Sequence, residues 1–440
     1  MFFINKFVYL YSNFFYVIKQ NKQVIILNQN IKKMKKNLIY SILLFIVINF
    51  FYACNDAPTE VGMGFLQDTA SINIIAGKDN SFFTSCSTYT VKSKLNLGGI
   101  LVGEAKNMKA ASFISFVIPI GLDSTITEDK IVECKLYIYP RNYAIGDITT
   151  NLLSFEIKEI TNRWDVNETT ADEVFGSNNF FENGKIISNW SGQLERKDTM
   201  DALVFDFPKD LCAEWLEKWK DYQNIVDTVW GLAIMPRAGS TIINDFVAYS
   251  STSEGSHLKV KFYKNEELEL DSFSVHSAID KKFVQLNEDI SQDDLTIQGS
   301  VKIHSRINFD VSSIPDLAII HYVELTLFVN DAKSYFGNLN KPETISLSLY
   351  LDLEKEAESP NAMIIGRYDS TNNTFNFKDI LYIPFNKFLR SDTKNGTLVL
   401  SFEIGKVDEL NYLNRYVFHG INDPDINKRP KLKIVYSSVE

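Results

Sequence analysis

The sequence predicts an all-β protein: two tandem antiparallel jelly-roll-like β-sandwich domains, with a short helix in the first. Three observations carry this expectation. Apolar and polar residues alternate with period two over several stretches, the mark of strands with one buried face. Turn residues separate those stretches at intervals suited to an antiparallel sandwich. The same order of elements also occurs twice along the chain.

Unit one opens with Phe113–Pro119 and continues with Ile131–Tyr139, where Val132, Cys134, Leu136 and Ile138 alternate with Glu133, Lys135, Tyr137 and Tyr139. Leu153–Ile157 follows, and the unit closes with Phe246–Ser250 and Leu258–Tyr263. Unit two runs through Ser305–Val311, Tyr322–Val329, Ile345–Leu351, Arg415–His419 and Arg429–Tyr436 in the same order. The polar stretch Lys264–Asp271 is the expected boundary, giving domains at 71–264 and 271–438. In Lys209–Tyr222, residues Leu211, Trp215, Leu216, Trp219 and Tyr222 recur at three- and four-residue steps, which predicts a helix with one apolar stripe. Pro384–Leu389 is its shorter counterpart.

Unit one resembles the DNRLRE-type β-sandwich domains of bacterial exported proteins. The residues that carry the resemblance are the Phe113–Pro119 and Ile131–Tyr139 strands, Trp164-Asp165 with Glu168-Thr169-Thr170, the Trp215 helix, Trp230-Gly231, and the serine-rich segment from Ala248 to Ser253. Unit two keeps the strands and Arg429-Pro430-Lys431-Leu432 but has no Trp. The resemblance covers about 110–263 well and 300–437 loosely. It implies a jelly-roll-like sandwich and, by analogy, carbohydrate binding; a fold alone does not deliver a function.

The N-terminal part predicts where the protein works. Met34-Lys35-Lys36, an apolar run from Leu38 to Phe51, and Tyr52-Ala53 precede Cys54. A basic head, a short apolar stretch and a small residue before the cut describe a secretory signal. A Cys at the next position marks the bacterial lipoprotein version, in which the thiol takes a diacylglycerol. The run is too short for a spanning helix, which needs ~20 apolar residues. The expected layout is therefore an upstream extension at 1–33, a lipoprotein signal peptide at 34–53, lipidation at Cys54 and a tether at 54–70. Cys54–Gly62 also looks like the start of Bacteroidota-type surface lipoproteins. The expected location is the bacterial cell envelope, at the outer membrane, with the membrane reached through the lipid.

The chain has 45 Lys and Arg against 55 Asp and Glu, a net charge of −10. The first 53 residues hold seven Lys and no acid, so the mature body carries −17. That balance argues against nucleic acid, whose phosphates attract Lys and Arg patches. Besides Cys54 there are Cys86, Cys134 and Cys212, with no CxxC or Cys/His ligand spacing. Export permits a disulfide, and this odd set allows at most one internal pair; Cys134 falls on an inward strand face and Cys212 on the predicted helix, so buried, inert thiols are the reading preferred.

No catalytic constellation emerges, and the chain reads as a non-enzyme. His257, His276, His304, His321 and His419 form no HExxH or other ligand pair. There is no GxSxG elbow. Two acidic loops invite a structural Ca²⁺: Asp289 and Asp293 beside Glu288 and Asp294, and Asp423 with Asp425. Calcium takes six to eight oxygens, which sandwich loops can supply. Trp190, in the polar run Ser188–Gly192, and Tyr143 are the candidate ligand platforms, since sugar rings stack on aromatic faces. The reading is a lipid-anchored, non-catalytic protein that binds a carbohydrate or other surface polymer. The alternative is a structural or adhesive envelope lipoprotein without a glycan site, and a glycoside hydrolase comes third. If Trp190 packs beneath its segment, the structural alternative gains.

Overall fold

The computed structural model describes residues 70–439 apart from 77–81, 92–98, 118–125, 196–200, 221–228, 249–254, 265–268, 340, 351–359, 361, 379–381 and 391–393. The signal, the lipidation site at Cys54 and the tether before residue 70 lie outside the described residues. Ser71–Val439 forms one compact unit.

The chain begins with β1 (Ala70–Ala76) and β2 (Phe83–Thr90). The first repeat follows as β3 (Ile100–Ala105), β4 (Met108–Phe116), β5 (Ile131–Gly146), β6 (Leu152–Glu159), β7 (Ile186–Gln193), β8 (Leu203–Asp206), β9 (Leu232–Pro236), β10 (Ile242–Val247) and β11 (His257–Tyr263). A long strand, β12 (Leu270–Leu286), leads to the second repeat. That repeat comprises β13 (Leu295–Gln298), β14 (Ile303–Asp310), β15 (Ile319–Phe328), β16 (Thr344–Tyr350), β17 (Ala362–Asp369), β18 (Thr374–Phe377), β19 (Asn395–Ser401), β20 (Arg415–Phe418) and β21 (Lys431–Val439). The expected helices occupy Lys209–Lys220 and Tyr382–Leu389.

The two repeats pair their strands alike, in antiparallel register. In the first, β9 lies between β4 and β6, β7 flanks β6, and β5 sits between β11 and β8. In the second, β19 lies between β14 and β16, β17 flanks β16, and β15 sits between β21 and β18. The fold is therefore all-β, with the internal repeat visible in hydrogen bonding as well as in sequence order.

The strands that complete each sandwich are exchanged. The first half of β12 pairs with β11 and its second half with β4. The equivalent places in the second repeat are filled by β1 on β21 and β2 on β14. So β1 and β2 precede the first repeat in the chain but complete the second, while β12 precedes the second repeat and completes the first. The expected cut at 264–271 does not separate the two sheet systems, and domains at 71–264 and 271–438 would each lack their own closing strands. The reason is physical. Period-two alternation reports which face of a strand is buried, but its edges are backbone N–H and C=O groups that carry no residue identity.

Each sandwich has its own core. Phe155, Ile234, Phe246 and Leu258 pack with the helix residues Leu211, Trp215, Leu216 and Trp219 in the first. Phe309, Leu325, Leu347, Phe377 and Phe385 fill the second, with Phe82 and Phe83 contributed by the N-terminal segment. A smaller cluster, including Leu101, Met108, Tyr143, Ile243 and Leu413, forms a seam between the repeats. The β3–β4 hairpin turns on Lys106 and Asn107, both at positive φ, as a two-residue primed turn requires.

The Trp-containing segment that carries the family resemblance builds a satellite core on the outer face of β4. Phe113 points into it, with rings from Trp164, Phe180, Phe181 and Phe283 packed edge-on at 4.8–5.8 Å. Trp164 donates its indole N–H to the Trp230 carbonyl at 2.9 Å. Thr170 caps the short helix Ala171–Gly176 in a capping box with Glu173. Gly231 has φ +100, and a Cβ there would lie 2.0 Å from the Ile114 carbonyl oxygen. The described residues of this motif make structural contacts.

Candidate binding cleft

A cleft of about 390 Å³ opens where the two repeats meet. The β3–β4 turn supplies Lys106 and Asn107, and the loop after β12 supplies Glu288, Asp289 and Asp294. The second repeat adds Lys333, Tyr335 and Arg415. Exposed turns meet strand ends here, so backbone direction brings charged side chains to a common rim.

Arg415 anchors the cleft. It is 7% exposed, and its guanidinium pairs with Glu288. Its Nε and Nη2 donate to Gln298 Oε1 at 3.0 and 2.8 Å. The guanidinium lies 4.8 Å from the centre of the Tyr335 ring. Glu288 also accepts from Asn107 Nδ2 at 3.2 Å, which ties the first repeat's turn to the second repeat's strand. Burial pushes the Tyr335 phenol well above its ordinary pKa, so it stays protonated and can donate or accept a hydrogen bond. Lys333 pairs with the buried carboxylate of Asp294.

Charged groups of the cleft are engaged in pairs. A glycosidase needs one carboxyl held as an acid facing a second across the bond. Glu288 and Asp294 instead each pair with a cation, Arg415 and Lys333. What the cleft offers is a fixed set of charged donors and acceptors with a phenol among them, the kind of polar lining that orients hydroxyl-rich ligands.

The residues predicted from sequence fall in different places. Asp289 lines the cleft from an exposed position, and Asp293 is exposed further along the same loop. Asp423 accepts from His419 Nδ1 at 2.7 Å and from the Asp425 backbone at 2.8 Å. Burial pulls its carboxyl upward, but those hydrogen bonds win and hold it below the ordinary range. Asp425 accepts from the Asn427 backbone and sits 3.8 Å from Lys428. Neither loop gathers three metal-ligating side chains among the described residues.

Trp190 is on a strand, not in a loop. It lies opposite Phe155 in the β6–β7 pair, half-buried on the first core with the two rings 5.3 Å apart. Its ring folds over Gly192, where a Cβ would meet it at 3.0 Å. The small same-face neighbours Ser188 and Gly192 hide the strand pattern, which is why the segment reads as a polar loop.

Tyr143 is no surface platform either. It is 1% exposed in the seam, stacked on Tyr412 at 4.0 Å. Its hydroxyl accepts from the Leu413 backbone at 2.7 Å. β5 runs on past Tyr139 to Gly146, with an irregular register between Pro140 and Ala144, and carries Tyr143 under the other repeat. Tyr137, half-buried on the outer face, stacks on His257 at 4.8 Å.

Sequence reasoning missed Arg415, Tyr335 and Lys106. The available signal was an Arg in the otherwise apolar strand Arg415–Phe418, a costly place for a charge without a partner. No protein-family model matches this chain, and the comparison with curated proteins finds no match.

Proposed function

We propose that this chain is an exported, lipid-anchored, non-catalytic protein of the bacterial envelope that binds a carbohydrate or another polar surface polymer in the junction cleft. The observation that carries the reading is the cleft itself: its walls come from both repeats, and ion pairs fix its polar groups in place. The resemblance to DNRLRE-type domains supports the same reading. The lipid on Cys54 would tether the protein to the membrane.

The test is a polysaccharide panel on the protein freed of its lipid, compared with a Lys106→Ala, Lys333→Ala double variant. Both lysines reach the cleft from exposed turns, and the urea midpoint of the double variant separates lost binding from the loss of Lys333 beside the buried Asp294. Removing two charged hydrogen-bonding groups should weaken binding at least tenfold, about 1.4 kcal/mol or more. Binding lost instead only in Trp190→Ala would move the ligand to the β6–β7 edge. Anchoring has its own check: Cys54→Ala should abolish palmitate labelling and membrane retention, and unchanged retention would refute the anchor.

A second reading is favoured by the exchanged strands and the packed Trp190. They describe a stiff double sandwich suited to act as a structural or adhesive spacer. No binding across a broad panel would select it.

A further inference from the structure

Cys134 on β5 and Cys212 on the Lys209–Lys220 helix stand 78 positions apart in sequence, and their sulfurs lie 2.8 Å apart. Both are buried, at 3% and 1% exposure. That separation is inside the contact distance of two non-bonded sulfurs, and a thiol is only a weak hydrogen-bond donor. Closing it to a bond length of about 2.05 Å needs a small side-chain adjustment. A metal-thiolate role finds no support, since no third metal-ligating side chain joins the pair among the described residues. Burial also raises the Cys134 thiol far above its ordinary pKa, which suppresses the nucleophilic thiolate.

We propose that Cys134 and Cys212 form a disulfide that staples the Trp215 helix to the first sandwich. The inference rests on the export reading, because an oxidising compartment is where such bonds persist. The oxidant is the disulfide of a thiol–disulfide exchange protein, or an oxidised small-molecule thiol. One sulfur–sulfur bond forms and one breaks; the two electrons and both thiol hydrogens end on the oxidant's two sulfurs. The bond forms while the helix is still docking, before burial closes access, and burial then shields it from reduction. Cys86 lies on β2 in the other sandwich and remains a thiol.

The bond closes a long loop, the case in which a cross-link restricts the unfolded chain most. It would fix the helix whose Trp215 packs on Phe116 and Phe207 at 5.9 and 5.2 Å. That helix packs into the first core, so the staple would hold it there.

The experiment has two arms on the full chain. In the first, protein recovered from an exporting host is denatured without reductant, alkylated and mapped by peptide mass spectrometry. Cys86 should be alkylated, and Cys134 and Cys212 should appear as one cross-linked pair that reductant splits. In the second, reduced protein is refolded with a mixture of oxidised and reduced glutathione, and the same pair should form. Cross-linking on refolding but not in the host would overturn the export reading and leave the pair intact. Free Cys134 and Cys212 in both arms would overturn the pair. Reductant should lower the wild-type Tm by roughly 3–8 °C. It should leave a Cys134→Ser, Cys212→Ser variant unmoved; an equal shift in that variant would assign the effect elsewhere and overturn the proposal.

Discussion

Cutting the chain between residues 264 and 271 is expected to give two fragments, neither of which folds alone. The N-terminal piece keeps β1 and β2, whose partners β21 and β14 are gone, and loses β12 from the edges of β11 and β4. It therefore exposes two sheet edges, the feature that most invites aggregation. β12 also takes away Val275 and Phe283, both 2% exposed. Burying such a pair is worth about 3–6 kcal/mol, a large share of a domain's net stability of roughly 5–15 kcal/mol. The C-terminal piece loses Phe82 and Phe83 from its core in the same way.

A fragment spanning 99–286 should behave differently. It holds β3 through β12, so the first sandwich keeps its ring of paired strands. The cost is exposure of seam residues such as Leu101, Met108 and Tyr143. The expected result is cooperative urea unfolding for 99–286 and none for 71–264. A cooperative transition in 71–264 would show that β12 is dispensable and that the exchange does not join the repeats energetically.

The second large effect is expected at Lys282. This residue is on β12, 1% exposed, and its ammonium donates to the Leu410 carbonyl and to Asn411 Oδ1 of the other repeat. Nearby, Asp245 is 1% exposed and accepts from Arg141 at 3.3 Å through Oδ2. Its Oδ1 has no hydrogen-bond partner among the described residues. Asp280 accepts from the Gly99 backbone at 3.0 Å. Removing one member of such a cluster leaves the others buried without compensation. Lys282→Ala should therefore cost about 3–5 kcal/mol, read from urea midpoints at pH 7. Lys282→Met combined with Asp245→Asn should cost less than the two single changes added together, because the pair is coupled. Strict additivity would mean that the two groups do not interact.

The same cluster has a pH signature. Burial pushes Asp245 up to about 6, although Arg141 and Lys282 pull the other way. Burial lowers Lys282 to about 8 against the attraction of Asp245 and Asp280. A carboxyl whose folded pKa is raised binds more protons folded than unfolded. Its contribution is full below about pH 4 and is lost as pH rises through about 6. For Lys282 the folded pKa is depressed, so its contribution is present above about 10.4 and lost as pH falls through 8. Asp245→Asn lacks the first dependence. Its stability should gain on the wild type between pH 4 and 6 and then level off, which urea midpoints at pH 4, 5 and 6.5 would show.

The two expectations differ in how legible their residues were. Lys282 gives no sign of its role in sequence, since a lysine in Asp280-Lys281-Lys282-Phe283 reads as a solvated face. Lys281 is equally deceptive: it is buried and donates to the Thr169 carbonyl at 2.6 Å beneath the satellite core. The opposite holds for Trp215. Its place in a three- and four-residue apolar stripe was readable from the chain, and it is 1% exposed in the core.

The candidate cleft divides in the same way. The acidic loop at Glu288 and Asp289 stood out by composition, but its partners did not. Arg415 is 127 positions from Glu288, and Asp294 is 39 from Lys333. Tyr143 and Trp190 were visible as aromatic residues in polar surroundings. Their burial depended on β5 running on past Pro140 under the other repeat and on a glycine beneath the indole.

By itself, then, the sequence determined the strands, the Trp215 helix, the duplicated order of elements and the all-β class. These follow from local periodicity, which chain geometry converts directly into buried and exposed faces. Only the tertiary structure decided that the leading strands are exchanged between repeats, that Tyr143 lies in a seam, and that Arg415 and Glu288 meet across a cleft. Those outcomes are set by pairing between backbone edges and by distant segments closing on one another, and neither leaves a period in the chain.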